Sequence, residues 1–286
     1  MFNRLEKRNQ KYLMEMLRKL EKEFNADVFT YYGEISHDAA KDIKYIIEEL
    51  SKDKGKHDAV CIFLTTKGGD VLAVQRMVEI FRYFYEEVNF IVPDCAYSAG
   101  TLWCMSADNI FMNYYSALGP VDPQVHTNSG NCVAALGYID KFNEMIDKSK
   151  SNDLSDAELS ILRGFDIARL REYEQSRNLA IDLITKWLSK YKFKHWLNHS
   201  DGTLVTDAEK TERAFYIANI LSDNNYWKVH SYPIGIQTLR NVLKLKIIDY
   251  NEYENISRLI NLYYECIIEY IRDHRYNVFY HTRKYI

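Results

Sequence analysis

Turn-forming residues are scarce in this 286-residue chain, which has only 11 Gly and 4 Pro. So few breakers suggest long helices joined by few loops. Cysteine is also sparse. The five thiols (Cys61, Cys95, Cys104, Cys132 and Cys266) are odd in number, scattered, and mostly set in apolar stretches. No CxxC and no Cys/His pair at metal spacing occurs, so the expectation is buried free thiols in a reducing compartment. Positive charge is not in excess: the formal net charge of −3 provides no broad basic field, and nucleic acid is not an expected partner. Long hydrophobic runs are missing too. The N-terminal residues MFNRLEKRNQKYLMEML lack the apolar core of a signal peptide. The apolar stretch from Ile256 to Ile271 is broken by Arg258, Asn261, Glu265 and Glu269. It falls short of the ~20 apolar residues that a membrane span needs. A soluble, cytoplasmic protein without a membrane span is the expectation.

Hydrophobic residues make up 47% of the chain and charged ones 27%, close to ordinary globular usage. Helical spacing of Leu5, Tyr12, Leu13, Met16, Leu17 and Leu20 predicts an amphipathic helix over 4–24. Asp27–Tyr32 reads as a strand. Ser36 is placed to cap a helix running to about Leu50. The run Ala59–Leu64 (AVCIFL) has the unbroken apolarity of a strand buried on both faces. A helix over 71–85, a strand at 90–92, a helix over 98–107 and a strand at 109–112 follow. This alternation predicts a parallel sheet with right-handed crossovers, whose functional residues gather at the carboxyl ends of the strands.

Beyond Asn131 the pattern is nearly all helical, over 134–150, 155–176, 177–192 and 206–222. An irregular stretch at 226–236, a short helix at 236–244, a closing strand at 245–248 and an amphipathic helix at 252–274 follow. The expected organisation is an N-terminal helix over 1–26, an α/β domain over 27–250 carrying a helical insertion at about 149–225, and a C-terminal helix over 251–286.

Three segments carry candidate chemistry. Gly68-Gly69 lies between a buried strand and a helix, where glycine frees backbone N–H groups to face an oxyanion; an ordinary tight turn reads the same way. Ser98, in Ala96-Tyr97-Ser98-Ala99-Gly100-Thr101, opens the next helix, as a nucleophile beside small neighbours or simply as an N-cap. Asp122 is held between Pro120 and Pro123 in ALGPVDPQ, in a loop whose backbone the prolines stiffen.

Taken in order, T-x-GGD, A-x-SAGT and ALGPVDPQ resemble the Clp/crotonase superfamily, and more closely the serine dehydrogenase proteinases, related to signal-peptide peptidase A. The resemblance covers roughly 27–250 and is most specific over 60–125. It implies an α/β fold with a Clp/crotonase-like parallel sheet and crossover helices, followed by a mainly helical C-terminal region. It also implies a serine peptidase, with Ser98 as nucleophile and an oxyanion hole built from Gly68, Gly69 and Ala99. Asp122 stands where Clp proteases carry their histidine. Trp227-Lys228-Val229-His230 resembles the W-x-x-HGR element of the closer family, with Ser231 and Tyr232 replacing Gly-Arg. The expected triad is therefore Ser98, His230 as base and Asp122 as the group that orients it. Lys141 is the rival base, by resemblance to signal-peptide peptidase A. No cofactor is expected.

A peptide or protein substrate and a homo-oligomer are the implied partners, with helices 4–24 and 252–274 as candidate contacts. The chain has no AAA-type nucleotide loop, so energy-driven unfolding would need a separate unfoldase. A catalytically inactive scaffold and crotonase-type acyl-CoA chemistry are the rival readings; the intact A-x-SAGT disfavours the latter. The mixture of cations and aromatics in Tyr191-Lys192-Phe193-Lys194-His195-Trp196 reads as a structural or assembly element rather than a stacking platform for single strands. His126, His195 and His199 show no metal-ligand spacing with carboxylates.

Overall fold

A computed structural model of the chain describes residues 2–126 and 132–286, with the side chains of 6–124 and 135–286. In chain order the first part runs α1 (Phe2–Phe24), β1 (Asp27–Tyr32), α2 (His37–Ser51), β2 (Ala59–Thr65), α3 (Val71–Phe84) and β3 (Glu87–Ile91). Then come β4 (Cys95–Ala96), α4 (Ala99–Cys104), β5 (Asn109–Met112), β6 (Ala117–Leu118), and a hairpin of β7 (Gln124–His126) with β8 (Cys132–Ala134). The helical part comprises α5 (Leu136–Lys150), α6 (Asp156–Arg163), α7 (Ile167–Trp187), which widens into a π-turn at Leu188–Lys192, α8 (Asp207–Leu221) and the one-turn α9 (Asn224–Trp227). The chain closes with β9 (Ile234–Gly235), α10 (Ile236–Asn241), β10 (Ile248–Asp249), α11 (Glu254–His274) and β11 (Phe279–His281).

The main sheet has the order β10-β5-β3-β2-β1-β11. Every pairing in it is parallel except β1 with β11. Central β2 explains its unbroken apolar run by alternation. Val60, Ile62 and Leu64 enter a core shared with α2, α3, α4, α7 and α8, while Cys61 and Phe63 enter a second core on the other face. That second core is built by the terminal helices. Leu13, Met16, Leu17 and Leu20 of α1 meet Ile260, Tyr263 and Ile267 of α11 over β1 and β2. The apolar stripes expected as oligomer contacts are thus buried within one protomer. Among the described residues, no helix is long and apolar enough to cross a membrane.

Ser36 caps α2 as expected, its hydroxyl accepting from the Ala39 N–H at 3.1 Å. The closing strand is shorter and later than predicted, at 248–249, because Leu243, Leu245 and Ile247 anchor the preceding segment by alternate burial without pairing. The residues after α11 were expected to be helix-bound but supply β11, antiparallel on β1 through Thr30↔His281, Tyr31↔Tyr280 and Tyr32↔Phe279. Arg283 then bridges Glu21 and Asp27 at 2.7 Å each, locking the tail against α1 and β1.

His281 is fully buried, with Nδ1 at 2.8 Å from the Tyr263 hydroxyl, which in turn bonds Thr30 Oγ1 at 2.7 Å. Burial pushes its pKa down to about 3. The unfolded chain takes up a proton on this side chain as pH falls below about 6.5, while the folded protein does not. Stability present at pH 7 should therefore be lost by up to about 1.4 kcal/mol per pH unit as pH drops from that value towards the folded one. Urea unfolding at pH 7 and pH 5 should show a smaller pH effect in His281→Gln than in the parent. Equal pH effects in both would contradict the assignment.

Candidate active site

A second, small sheet of order β4-β6-β9 gathers the candidate segments. β4 runs parallel to β6 (Cys95↔Ala117, Ala96↔Leu118), and β9 pairs with β6 antiparallel (Ala117↔Gly235, Leu118↔Ile234). Ser98 follows β4 by two residues, Asp122 follows β6 by four, and His230 precedes β9 by four. Three segments far apart in sequence are fixed side by side through a few backbone pairs.

The diglycine loop is clipped to the same assembly. The Tyr97 N–H donates to Thr66 O at 3.0 Å and the Thr66 N–H to Cys95 O at 3.0 Å. On its other side, the Ile35 N–H donates to Gly68 O at 2.8 Å and the Asp70 N–H to Ile35 O at 2.9 Å. Gly68 and Gly69 hold φ of +112° and +144°, angles that only glycine adopts readily. A Cβ on Gly69 would lie 2.0 Å from Ile35 O, and one on Gly68 would lie 2.9 Å from Ser98 Cβ and 3.4 Å from the Ala99 nitrogen. The two turns therefore converge on Ser98. The Gly68 N–H, however, donates to Thr66 Oγ1 at 3.0 Å, so it is occupied. Among the described residues the Gly69 and Ala99 N–H groups have no acceptor.

Ser98 stands at the N-cap position of α4, yet its side chain makes no capping bond. Its backbone holds φ +51° and ψ −116°, outside the left-handed basin. Such a conformation in a non-glycine residue is costly and persists only where the surroundings impose it. Here those surroundings are the strand-to-helix turn between β4 and α4 and the diglycine wall beside it. The residue is partly exposed rather than sealed. Thr101, whose importance the sequence reading missed although it ends A-x-SAGT, knits this turn to the next. Its hydroxyl donates to Ala96 O at 2.7 Å and accepts from the Gly119 N–H at 2.8 Å.

Asp122 and His230 meet. The His230 Nδ1–H donates to Asp122 Oδ1 at 2.6 Å, the carboxylate fully buried and the imidazole about a quarter exposed. Neighbouring contacts prepare this pair. The Val121 N–H donates to Leu221 O at 2.7 Å, tying the proline-flanked loop to the end of α8. The Trp227 indole N–H donates to Ile220 O at 2.6 Å, and Lys228, with φ of +68°, ends α9 and turns the chain towards His230. Asp122 Oδ2 has no partner among the described residues. No hydrogen bond joins Ser98 Oγ to His230 among them either.

Lys141 is about half exposed on α5, and its ammonium bonds Glu144 at 2.9 Å. A lysine base needs a desolvated amine, and this one is solvated and ion-paired. The side chain of His126 lies outside the described residues. His199 bonds Glu209 at 3.2 Å. Among the described residues no three His, Cys, Asp or Glu side chains cluster at metal distance.

The family of ClpP-like SDH-type serine proteinases matches residues 3–199. The chain belongs to that family. Its matched span takes in Gly68, Gly69, Ser98 and Asp122 and ends before His230. Among curated proteins, the uncharacterized protein MJ0137 of Methanocaldococcus jannaschii is 26% identical over 265 residues, covering 87% of this chain and 78% of that one. Similar solved structures include a variant of 1510-N, a membrane-bound stomatin-specific protease, at TM-score 0.46 and 14% identity, covering 80% of this chain and 81% of that chain. A variant of ClpP1 from Listeria monocytogenes gives TM-score 0.36 and 17% identity, over 59% of this chain and 75% of that chain. This chain combines a parallel-sheet core with a helical C-terminal region.

The glycine geometry makes a direct prediction. Gly68→Ala places a methyl group against Ser98 Cβ at a φ that alanine resists, and should lower unfolding free energy by about 1–3 kcal/mol. Urea titration measures it, and an unchanged midpoint would contradict the described turn.

Proposed function

We propose that the protein is a serine peptidase that cleaves peptide bonds through an acyl-enzyme on Ser98. Ser98 Oγ attacks the scissile carbonyl carbon, and His230 Nε2 takes the hydroxyl proton. Asp122 holds the imidazole by its Nδ1–H, fixing the tautomer and stabilising the imidazolium. The negative charge that develops on the carbonyl oxygen is met by the N–H groups of Gly69 and Ala99. Gly68 supplies the clearance and turn that let those amides face the serine. His230 then returns its proton to the leaving amine, and water repeats the sequence to release the acyl group.

The observation that carries this reading is the Asp122–His230 contact of 2.6 Å, on segments that flank the same short sheet as the Ser98 turn. The free N–H groups of Gly69 and Ala99, and a serine hydroxyl not engaged as a cap, support it. The open Ser98–His230 contact is compatible with it, since catalytic hydrogen bonds often tighten only when substrate binds. That open contact, with Ser231 and Tyr232 in place of Gly-Arg, is also what an inactive peptide-binding relative would display.

A fluorophosphonate probe and casein hydrolysis separate the two readings. The parent protein should be labelled, Ser98→Ala should abolish both labelling and hydrolysis, and Asp122→Asn should lower kcat/KM by about 10⁴-fold with the fold retained. Labelling that survives Ser98→Ala would refute the assignment, and a parent protein inert in both assays would favour the inactive relative.

A further inference from the structure

Away from the Ser98 turn, a cavity of about 640 Å³ opens at the amino ends of β3 and β5, where Glu87 and Asn109 begin those strands. The diglycine and Ser98 turns lie towards the carboxyl ends, so the cavity is separate from the proposed catalytic site. Its volume lies within the range of small-molecule pockets, about 300–1,000 Å³. Five cations line it, Lys192, Lys194, Arg213, Lys244 and Lys246, on a chain whose overall charge is negative.

The two carboxylates of the cavity do not balance this charge. Asp108 accepts Arg82 Nη1 at 2.7 Å and the Val88 N–H at 2.8 Å on one oxygen, and its other oxygen pairs with Lys194. Glu87 accepts the side-chain amides of Asn89 at 2.8 Å and Asn109 at 3.3 Å. Among the described residues, Lys192, Arg213, Lys244 and Lys246 therefore have no carboxylate partner. Lys192 Nζ makes one bond, to Asp108 O at 3.2 Å, and Arg213 Nη2 donates to Leu243 O at 2.7 Å.

The cations are positioned by the fold. Leu243, Leu245 and Ile247 are buried while the intervening Lys244 and Lys246 are exposed, so alternation turns both lysines outward. Arg213 braces that strip through Leu243. Lys244 adopts a left-handed φ of +49°, an unfavourable angle for a lysine. On the facing wall, Arg82 stacks on Tyr191 at 3.7 Å, and Trp196 is held edge-on by Phe193 and His199 at 5.8 and 5.5 Å. Cations that outnumber the carboxylates of their cavity, beside an indole, form a recognition surface for an anion that carries a flat ring.

We propose that this cavity binds a phosphorylated small molecule with an aromatic ring, of the nucleoside diphosphate class. Its phosphates would be held by Lys192, Lys244, Lys246 and Arg213, and its ring would lie against Trp196. Burial, reinforced by the charge of Lys246, lowers the pKa of Lys192 to about 8, so a bound anion would relieve an existing penalty. The limited volume and the negative overall charge favour a single small ligand over a polymer, which needs an extended basic track.

Calorimetric titration of the full chain with ADP, inorganic pyrophosphate and adenosine tests this. ADP should bind more tightly than pyrophosphate, with adenosine weakest. The pair Lys244→Gln and Lys246→Gln, both exposed and therefore compatible with folding, should weaken ADP by at least about tenfold. Trp196→Ala should weaken ADP but not pyrophosphate. Fluorophosphonate labelling of Ser98 should be unchanged in the lysine variant, so failure of this site is distinguishable from failure of the peptidase. The proposal is overturned if ADP gives no heat at about 1 mM, if the lysine variant binds it as well as the parent, or if single-stranded RNA binds more tightly than ADP.

Discussion

The candidate site depends on a sheet of only two-residue strands. β6 is its middle member, and its backbone pairs with β4 on one side and β9 on the other. Ser98, Asp122 and His230 lie two to four residues beyond those pairs, too close to drift far. Ladder hydrogen bonds contribute individually about 0.5–1.5 kcal/mol, but here each also sets the position of a side chain. The same logic reaches the diglycine loop through the Thr66 and Ile35 bonds. Local backbone strain at Ser98 is therefore tolerated because the neighbouring pairs over-determine that turn.

The main sheet separates two candidate sites by its polarity. Its carboxyl ends lead into the glycine and serine turns, the usual place for function in a parallel sheet. Its amino ends carry the cluster of cations around Asp108. Arg82 contributes to both packing and charge, covering the Tyr191 ring while neutralising Asp108 beneath it. The terminal helices take a different role. By burying one face of β1 and β2 they make the last turns of the chain part of the core, and β11 completes the sheet edge beyond them.

Much of the core was legible from local chemistry. The AVCIFL run required a strand covered on both faces, and Ser36 marked its helix start within one residue. The turn chemistry of Gly68-Gly69 and Ser98 was visible too, and the family resemblance joined what spacing alone left separate. Long-range pairing was less accessible. β11 is three residues long and lies beyond an amphipathic helix that masked it, and β4, β6 and β9 are too short for any periodicity to register. The occupied amide of Gly68 was hidden for another reason, because Thr66 has to fold back on its own turn before that bond exists. Lys141 pointed the other way, since its neighbour Glu144 on the same helix already offered a partner one turn along. The cations of the amino-end cavity come from three distant segments, so only part of the cluster, in YKFKHW, could be seen along the chain.

A crystal structure of the chain carrying a covalent phosphonate or boronate inhibitor tests the central claim most directly. The account predicts an adduct on Ser98 Oγ, its oxyanion about 2.7–3.1 Å from the Gly69 and Ala99 nitrogens, with His230 still bonded to Asp122 and now within reach of the Ser98 oxygen. An adduct whose oxygen points away from both amides, or a His230 that stays out of reach of Ser98, would contradict it.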